Sequence, residues 1–203
     1  MPGLIGKAGK SSSSNQLNDF LKTYPYDIIK GDVFRDEYVE SSHTHLGIFN
    51  KYEYPFSQKE VHLWLDGEII SVDGRKSAFT IPDLNRKIIN SYLNDTLPKT
   101  LLELDGTFNG IIYDQNKKKI TLFNDKHGLR PVYFSSSDNE FQWSADLRGL
   151  LFGKDTKTNI DPIAISSFLD LGYIIGNRTW FDDIQLMSPA SIMEYNIQSG
   201  TLF

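Results

Sequence analysis

The chain has 203 residues with 39% hydrophobic, 13% aromatic and 23% charged positions, enough for one domain that buries roughly 70% of its unfolded surface. A net charge of -5 argues against a partner held by phosphate contacts, and no apolar run approaches the ~20 residues that cross a bilayer. The absence of cysteine excludes disulfides, thiolate metal sites and a thiol nucleophile, and the start lacks the basic and apolar regions of a signal peptide, which fits a soluble cytoplasmic protein.

In chain order, "MPGLIGKAGK" opens with glycines at 3 and 6, which let a backbone run close to something else. "KSSSSN" reads as a polar loop, and "NQLNDFLKTYPY" as a short helix ending before Pro25. "EVHLWLDGEII" (60–70) predicts a strand, an Asp-Gly turn and a second strand. Residues 81–95 carry apolar side chains at 84, 88, 89 and 92, a helical spacing with Pro82 near its start and Asp83 in its first turn. "GTFNGIIYD" and "KKITLFND" pair across the turn "QNKK", and "PVYFSS" pairs with "EFQWSA" across "SDN". A helix through "DLRGLLF" follows. Another spans 161–173, with Asp161 as N-cap and Pro162 in first position. "PASIMEYNIQSGTLF" predicts a closing hairpin turned at Ser199 and Gly200. Paired strands with few helices between them indicate an α+β domain.

Three segments in this order carry a resemblance: "MPGLIG", then "LELDGTFNGIIYDQNKKKITLFNDKHGLRPVYF" (102–134), then "FQWSADLRGLL" with the tail "IDPIAISSFLDLGYIIGNRTWFDDIQLMSPASIMEYN". Together they resemble the N-terminal glutaminase domain of asparagine synthetases, over residues 1–8, 43–70 and 82–203, with a weaker match over 9–42. The resemblance implies a four-layer αββα sandwich of two stacked antiparallel sheets, the N-terminal-nucleophile hydrolase and class II glutamine amidotransferase architecture. It also implies a chemistry in which a cysteine exposed by Met removal attacks the side-chain amide of glutamine. The ammonia released passes to an ATP-using domain.

The residues that the resemblance assigns to this chemistry are changed here. Pro2 stands at the cysteine, where a strong nucleophile is required. In "HTHLGI", His45 stands at the arginine that grips the substrate carboxylate; an arginine is a permanent bidentate clamp, whereas an ordinary histidine is mostly neutral at pH 7. "DGEI" puts Asp66, Gly67 and Glu68 where the family has an asparagine amide and a glycine N–H for the oxyanion. Loss of one such donor typically costs about 2.7–4 kcal/mol of activation free energy, and an ionised Asp66 would also repel the developing charge. Asp83 lies one place out of register with the aspartate that binds the substrate amine, and "KGD" (30–32) is a remnant of another family motif. The vestigial pocket is therefore expected to comprise Pro2, His45, Asp66, Gly67, Glu68 and Asp83, with no catalytic residue and no metal. His45 and Asp66 should lie close together and close to Pro2; if they pair, the histidine pKa rises and the aspartate pKa falls.

Other candidates have plainer readings. Pro2 could act as a secondary amine at a processed terminus, or only shape the turn. His43 and His45 share a strand face, and His62 could lie on a neighbouring strand, short of an ordered metal shell. "NDKHGLRPVY" reads as a structural turn, "KKK" at 117–119 as a solvated hairpin tip, and Trp64, Trp143 and Trp180 as core. Residues 1–203 are expected to form a single amidotransferase-like domain that is inactive toward glutamine and scaffolds an ATP-dependent synthetase domain. Lactam-forming synthetases and lasso-peptide cyclases, which resemble the family, make that state plausible. No ATP-pyrophosphatase signature occurs, so that domain, with its ATP and magnesium, is expected beyond Phe203 as the main partner. A homo-oligomer is possible and no cofactor is expected here. An apolar docking face is expected around the pocket mouth and the strands after residue 130. The alternatives are a stand-alone non-catalytic binding module and, last, an active glutaminase.

Overall fold

The computed structural model describes residues 3–10, 16–23, 29–45, 53–74, 80–137, 139–151 and 158–203. Two antiparallel sheets stack face to face. The first holds β1 (Gly3–Gly9), β2 (Ile29–Lys30), β3 (Phe34–Arg35) and β4 (Val39–His45), together with three later strands. The second holds β5 (Phe56–Gln58), β6 (Val61–Val72), β7 (Leu104–Asp114) and β8 (Lys119–Asn124). β9 (Tyr133–Ser136), β10 (Glu140–Ser144) and β11 (Gln185–Leu186) return to the first sheet, and β12 (Ile192–Asn196) and β13 (Thr201–Leu202) close the second. The strand orders are β11-β9-β10-β1-β4-β2, with β3 also on β4, and β13-β12-β8-β7-β6-β5.

Period-two alternation decides what meets between the sheets. On β6, His62, Trp64 and Asp66 face the first sheet, while Val61, Leu63 and Leu65 face the helix α2 (Ile81–Leu93). That helix is held at its start by Thr80, whose hydroxyl accepts from the Asp83 N–H, and it buries Leu84, Ile88, Ile89 and Tyr92 on one side. A second helix, α3 (Leu97–Glu103), leads directly into β7 and was not anticipated from the sequence. On the far side, α1 (Gln16–Lys22) packs Leu17, Phe20 and Leu21 against Ile5, and α4 (Leu147–Leu151) buries Leu150 beside β10. The order of layers is thus helix, sheet, sheet, helix. The apolar centre includes Leu4, Trp64, Phe108, Phe141, Trp143 and Tyr195, each worth roughly 1.5–3 kcal/mol or more when buried.

The predicted pairings of 106–114 with 118–125 and of 131–136 with 140–145 form, as do the closing hairpin and the helix α5 (Pro162–Leu171), capped by Asp161. Two expectations are corrected. Asp66-Gly67 makes no turn: β6 runs unbroken through it because β7 supplies partners on both sides, Asp66 opposite Asn109 and Gly67 opposite Phe108. Trp180 is not core; it is 39% exposed, stacked edge-on against Phe168 of α5 at 4.9 Å. The 117–119 lysines are more engaged than a solvated tip: Lys118 lies over the Tyr38 ring, Lys117 and Lys119 over Tyr92. No helix among the described residues is long and apolar enough to cross a membrane.

Candidate functional site

At one end of the stack, the last residues of β4 face the middle of β6. His43 is 2% exposed, and its Nε2 lies 3.0 Å from Asp66 Oδ1 across the gap between the sheets. Arg130, from the turn between β8 and β9, donates from Nη1 to Asp66 Oδ2 at 2.8 Å. Both carboxylate oxygens are therefore engaged, one by β4 and one by the turn between β8 and β9. Burying Asp66 to 7% exposure would be costly alone; a guanidinium and an imidazole compensate it. The Tyr54 ring stands edge-on to His43 at 5.2 Å and closes that side.

The start of β1 passes against the same carboxylate. A Cβ on Gly3 would fall 2.5 Å from Ala145 Cβ and 3.5 Å from Asp66 Oδ2, so only glycine fits there. The Gly3 N–H and carbonyl both bond the Thr44 hydroxyl at 3.0 Å. Next along β6, Gly67 has φ +116, and a Cβ there would lie 2.0 Å from the Thr107 carbonyl and 2.8 Å from Arg130 Nε. Arg130 therefore lies directly over the Gly67 backbone.

Beside this cluster is a cleft of about 350 Å³ lined by Asp66, Thr107, Asn109, Leu129, Arg130, Pro131 and Ala145. Asn109 is buried opposite Asp66, and its amide donates to the Arg130 carbonyl at 3.4 Å. Its Oδ1 and the Arg130 Nε have no hydrogen-bond partner. Among the described residues, no group of three or more potential ligands is arranged to hold a metal ion.

A family profile described as a glutamine amidotransferase domain matches residues 30–202, most of the chain. The chain belongs to that family. A stretch of 74 residues is 34% identical to the putative asparagine synthetase [glutamine-hydrolyzing] 2 of Methanocaldococcus jannaschii, covering 36% of this chain and 14% of that protein. The glutamine phosphoribosylpyrophosphate amidotransferase of B. subtilis superposes over 100% of this chain and 42% of its own, with TM-score 0.54 at 12% identity. The structure of the allosteric regulatory enzyme of purine biosynthesis superposes over 98% and 42%, with TM-score 0.52 at 12% identity. At such identity the likeness speaks for the fold, which is that of the class II glutamine amidotransferases, and the chain spans less than half of each neighbour. It is an asparagine-synthetase-like domain of that fold.

Within this amidotransferase domain the expected pocket residues are distributed as follows. Pro2 lies outside the described residues. Asp66 and Gly67 are at the cleft. Glu68 follows on β6 with an exposed side chain. Asp83 belongs to the first turn of α2, exposed, bonded to Thr80 and paired with Arg86, and takes no part in the Asp66 cluster. His45 lies one step outward from His43, with ring centroids 5.4 Å apart. His45 is near enough for the Asp66 charge to act on it, but the hydrogen bond to Asp66 is made by His43. Burial, then the neighbouring His43, hold the His45 pKa below its ordinary value, and the more distant pull of Asp66 does not reverse this. His62 is on the second sheet, bonded to Ser57 at 2.7 Å, and is not joined to the pair on β4. His43, Asn109 and Arg130 were not singled out from the sequence as parts of this site. The available signals were the shared face of His43 and His45 and a lone arginine before Pro131.

The His45 shift fixes the sign of a pH dependence. The unfolded chain binds a proton near pH 6.5 that the folded chain accepts only at lower pH, so the folded state is relatively penalised in acid. Stability should rise as pH is raised from below the native value through 6.5, and the rise should flatten in His45→Gln. Urea midpoints on both sides of that window measure it; an equal rise in the variant would assign the effect elsewhere.

Proposed function

We propose that this is the amidotransferase-like domain of a larger, asparagine-synthetase-related protein that forms an amide or lactam bond with ATP, and that it serves as a scaffold without hydrolysing glutamine. The observation carrying this reading is the state of Asp66. Its carboxylate stands where the family resemblance places an oxyanion-stabilising amide, and it is held there by His43 on one oxygen and Arg130 on the other. A carboxylate already engaged at both oxygens offers no N–H donor to the charge that develops during amide attack. Pro2 offers no thiolate to start it. ATP and magnesium belong, in this reading, to the synthetase domain, and this domain needs no cofactor.

Ammonia release from glutamine tests the proposal. The purified chain should give no turnover above buffer, since loss of a nucleophile alone removes on the order of 10⁶ in kcat in a well-studied hydrolase. Pro2→Cys should stay silent while Asp66 is present. Turnover by the unaltered chain that disappears in Asp66→Ala would overturn the reading. A second reading, a non-catalytic binding module, is favoured by the cleft and the unpartnered Asn109 Oδ1 on its wall. A natural reading frame lacking an ATP-binding domain would make it the better of the two.

A further inference from the structure

The segment 159–184 is ordered and apolar, yet it buries little. Among the residues of α5, only Ala164 is buried. Ile163, Leu169, Leu171, Tyr173 and Ile175 are exposed by 56, 77, 51, 61 and 54%. A helix this apolar is ordinarily inside a protein. Nor is the segment a loose loop. The Asp161 carboxylate accepts from Arg178 at 2.6 Å, the Gly172 N–H closes the helix on the Phe168 carbonyl, and the Thr179 hydroxyl bonds the Phe181 and Ile184 carbonyls. A prebuilt face of exposed aliphatic and aromatic side chains is the mark of an interaction surface.

Its charge says what kind of surface it meets. Between Asn159 and Ile184 the chain has four aspartates, Asp161, Asp170, Asp182 and Asp183, against a single Arg178, which is already bound to Asp161. Asp170 and Asp182 are exposed alongside these apolar residues in the same segment. Two copies of this chain, each of net charge -5, would bring like rims together across a two-fold contact. The chain spans 42% of each structural neighbour, and its 74-residue match spans 14% of the putative asparagine synthetase, so in those proteins further chain accompanies the matched part.

We propose that α5 and the turn after it dock a protein surface that is aliphatic at its centre and rimmed by lysine and arginine. The proposal rests on the scaffold reading above and adds the chemistry of the partner to it. This face is a helix and its following turn, a different part of the chain from the cleft mouth and the strands after residue 130 where the resemblance led us to expect one.

Two amphipathic helical peptides with the same leucine stripe, one with lysine and one with glutamate on the polar face, provide the probe in calorimetric titrations of the chain. The lysine peptide should bind and weaken as salt is raised, and the glutamate peptide should bind at least about tenfold more weakly. Leu169→Ser with Ile175→Ser should remove the binding while circular dichroism and the unfolding midpoint stay unchanged. Asp170→Asn with Asp182→Asn should erase the preference for lysine. Binding of neither peptide, equal binding of both, or indifference to the Leu169 and Ile175 changes overturns the proposal. So does self-association in sedimentation that those changes abolish. Glutamine turnover by the chain would instead overturn the scaffold reading and leave these titrations as they stand.

Discussion

Arg130→Ala should lower stability by about 3 kcal/mol, the low end for breaking a buried ion pair, because the Arg130 side chain is 39% exposed whereas Asp66 is 9%. For a chain of this length that corresponds to a fall of roughly 6–12 °C in Tm. The loss comes from the carboxylate left behind. His43 still holds Oδ1, but Oδ2 loses the guanidinium that compensates its charge. Adding Asp66→Asn to Arg130→Ala should therefore recover part of the loss, giving a coupling that a double-mutant cycle reads directly. The exposed pair Arg86–Asp83, at 55 and 59% side-chain exposure, is the comparison: Arg86→Ala should cost at most about 0.5 kcal/mol. Equal effects at the two arginines would mean that Asp66 is hydrated in solution.

Gly67→Ala should be at least as damaging, on the order of 3 kcal/mol or more. Two faults combine. The backbone at φ +116 is one that side chains rarely adopt, and the new methyl would lie 2.0 Å from the Thr107 carbonyl. Relief requires β6 to part from β7 next to Asp66, and Arg130 to give way over the strand as well. Chemical denaturation should show an early midpoint. Fluorescence and hydrogen exchange should show the disturbance at the cleft first. A midpoint within about 0.5 kcal/mol of the parent would mean that this strand pair bends without penalty.

The elements that local rules govern were readable in advance. Asp161 and Pro162 started a helix, spaced apolar residues defined α2, and polar turns joined β7 to β8 and β9 to β10. What failed was decided by other parts of the chain. Asp66-Gly67 is a turn signal only until a long partner strand pairs through it, and the residues opposite, Asn109 and Phe108, come from a distant part of the chain. The site suffered in the same way. The resemblance selected His45, whereas which of two same-face histidines reaches Asp66 depends on how far β4 extends over the second sheet. Arg130, two residues after Gly128, reaches the site through the path of that turn, which Asp125 holds by accepting from the Phe108 and His127 N–H groups. Asp83, correctly placed in its helix and already one place out of register with the family's aspartate, bonds Thr80 and Arg86 and takes no part in the Asp66 cluster.

The Asp36 carboxylate, in the turn before β4, accepts from the Tyr113 hydroxyl at 2.7 Å and from the Gln115 amide at 3.0 Å. It thus joins the first sheet to the second near one end of β4, as His43 and Asp66 do near the other. Greasy plates laid on one another have little reason to choose an azimuth, since apolar contact is non-directional. A single pin would fix a point and leave a pivot. Two pins at separate points fix an angle. The angle between the sheets in this domain is thereby specified by directional polar bonds at the margins. The apolar middle is left free to supply adhesion, and substitutions there that conserve volume should alter how tightly the plates hold without altering how they are aimed.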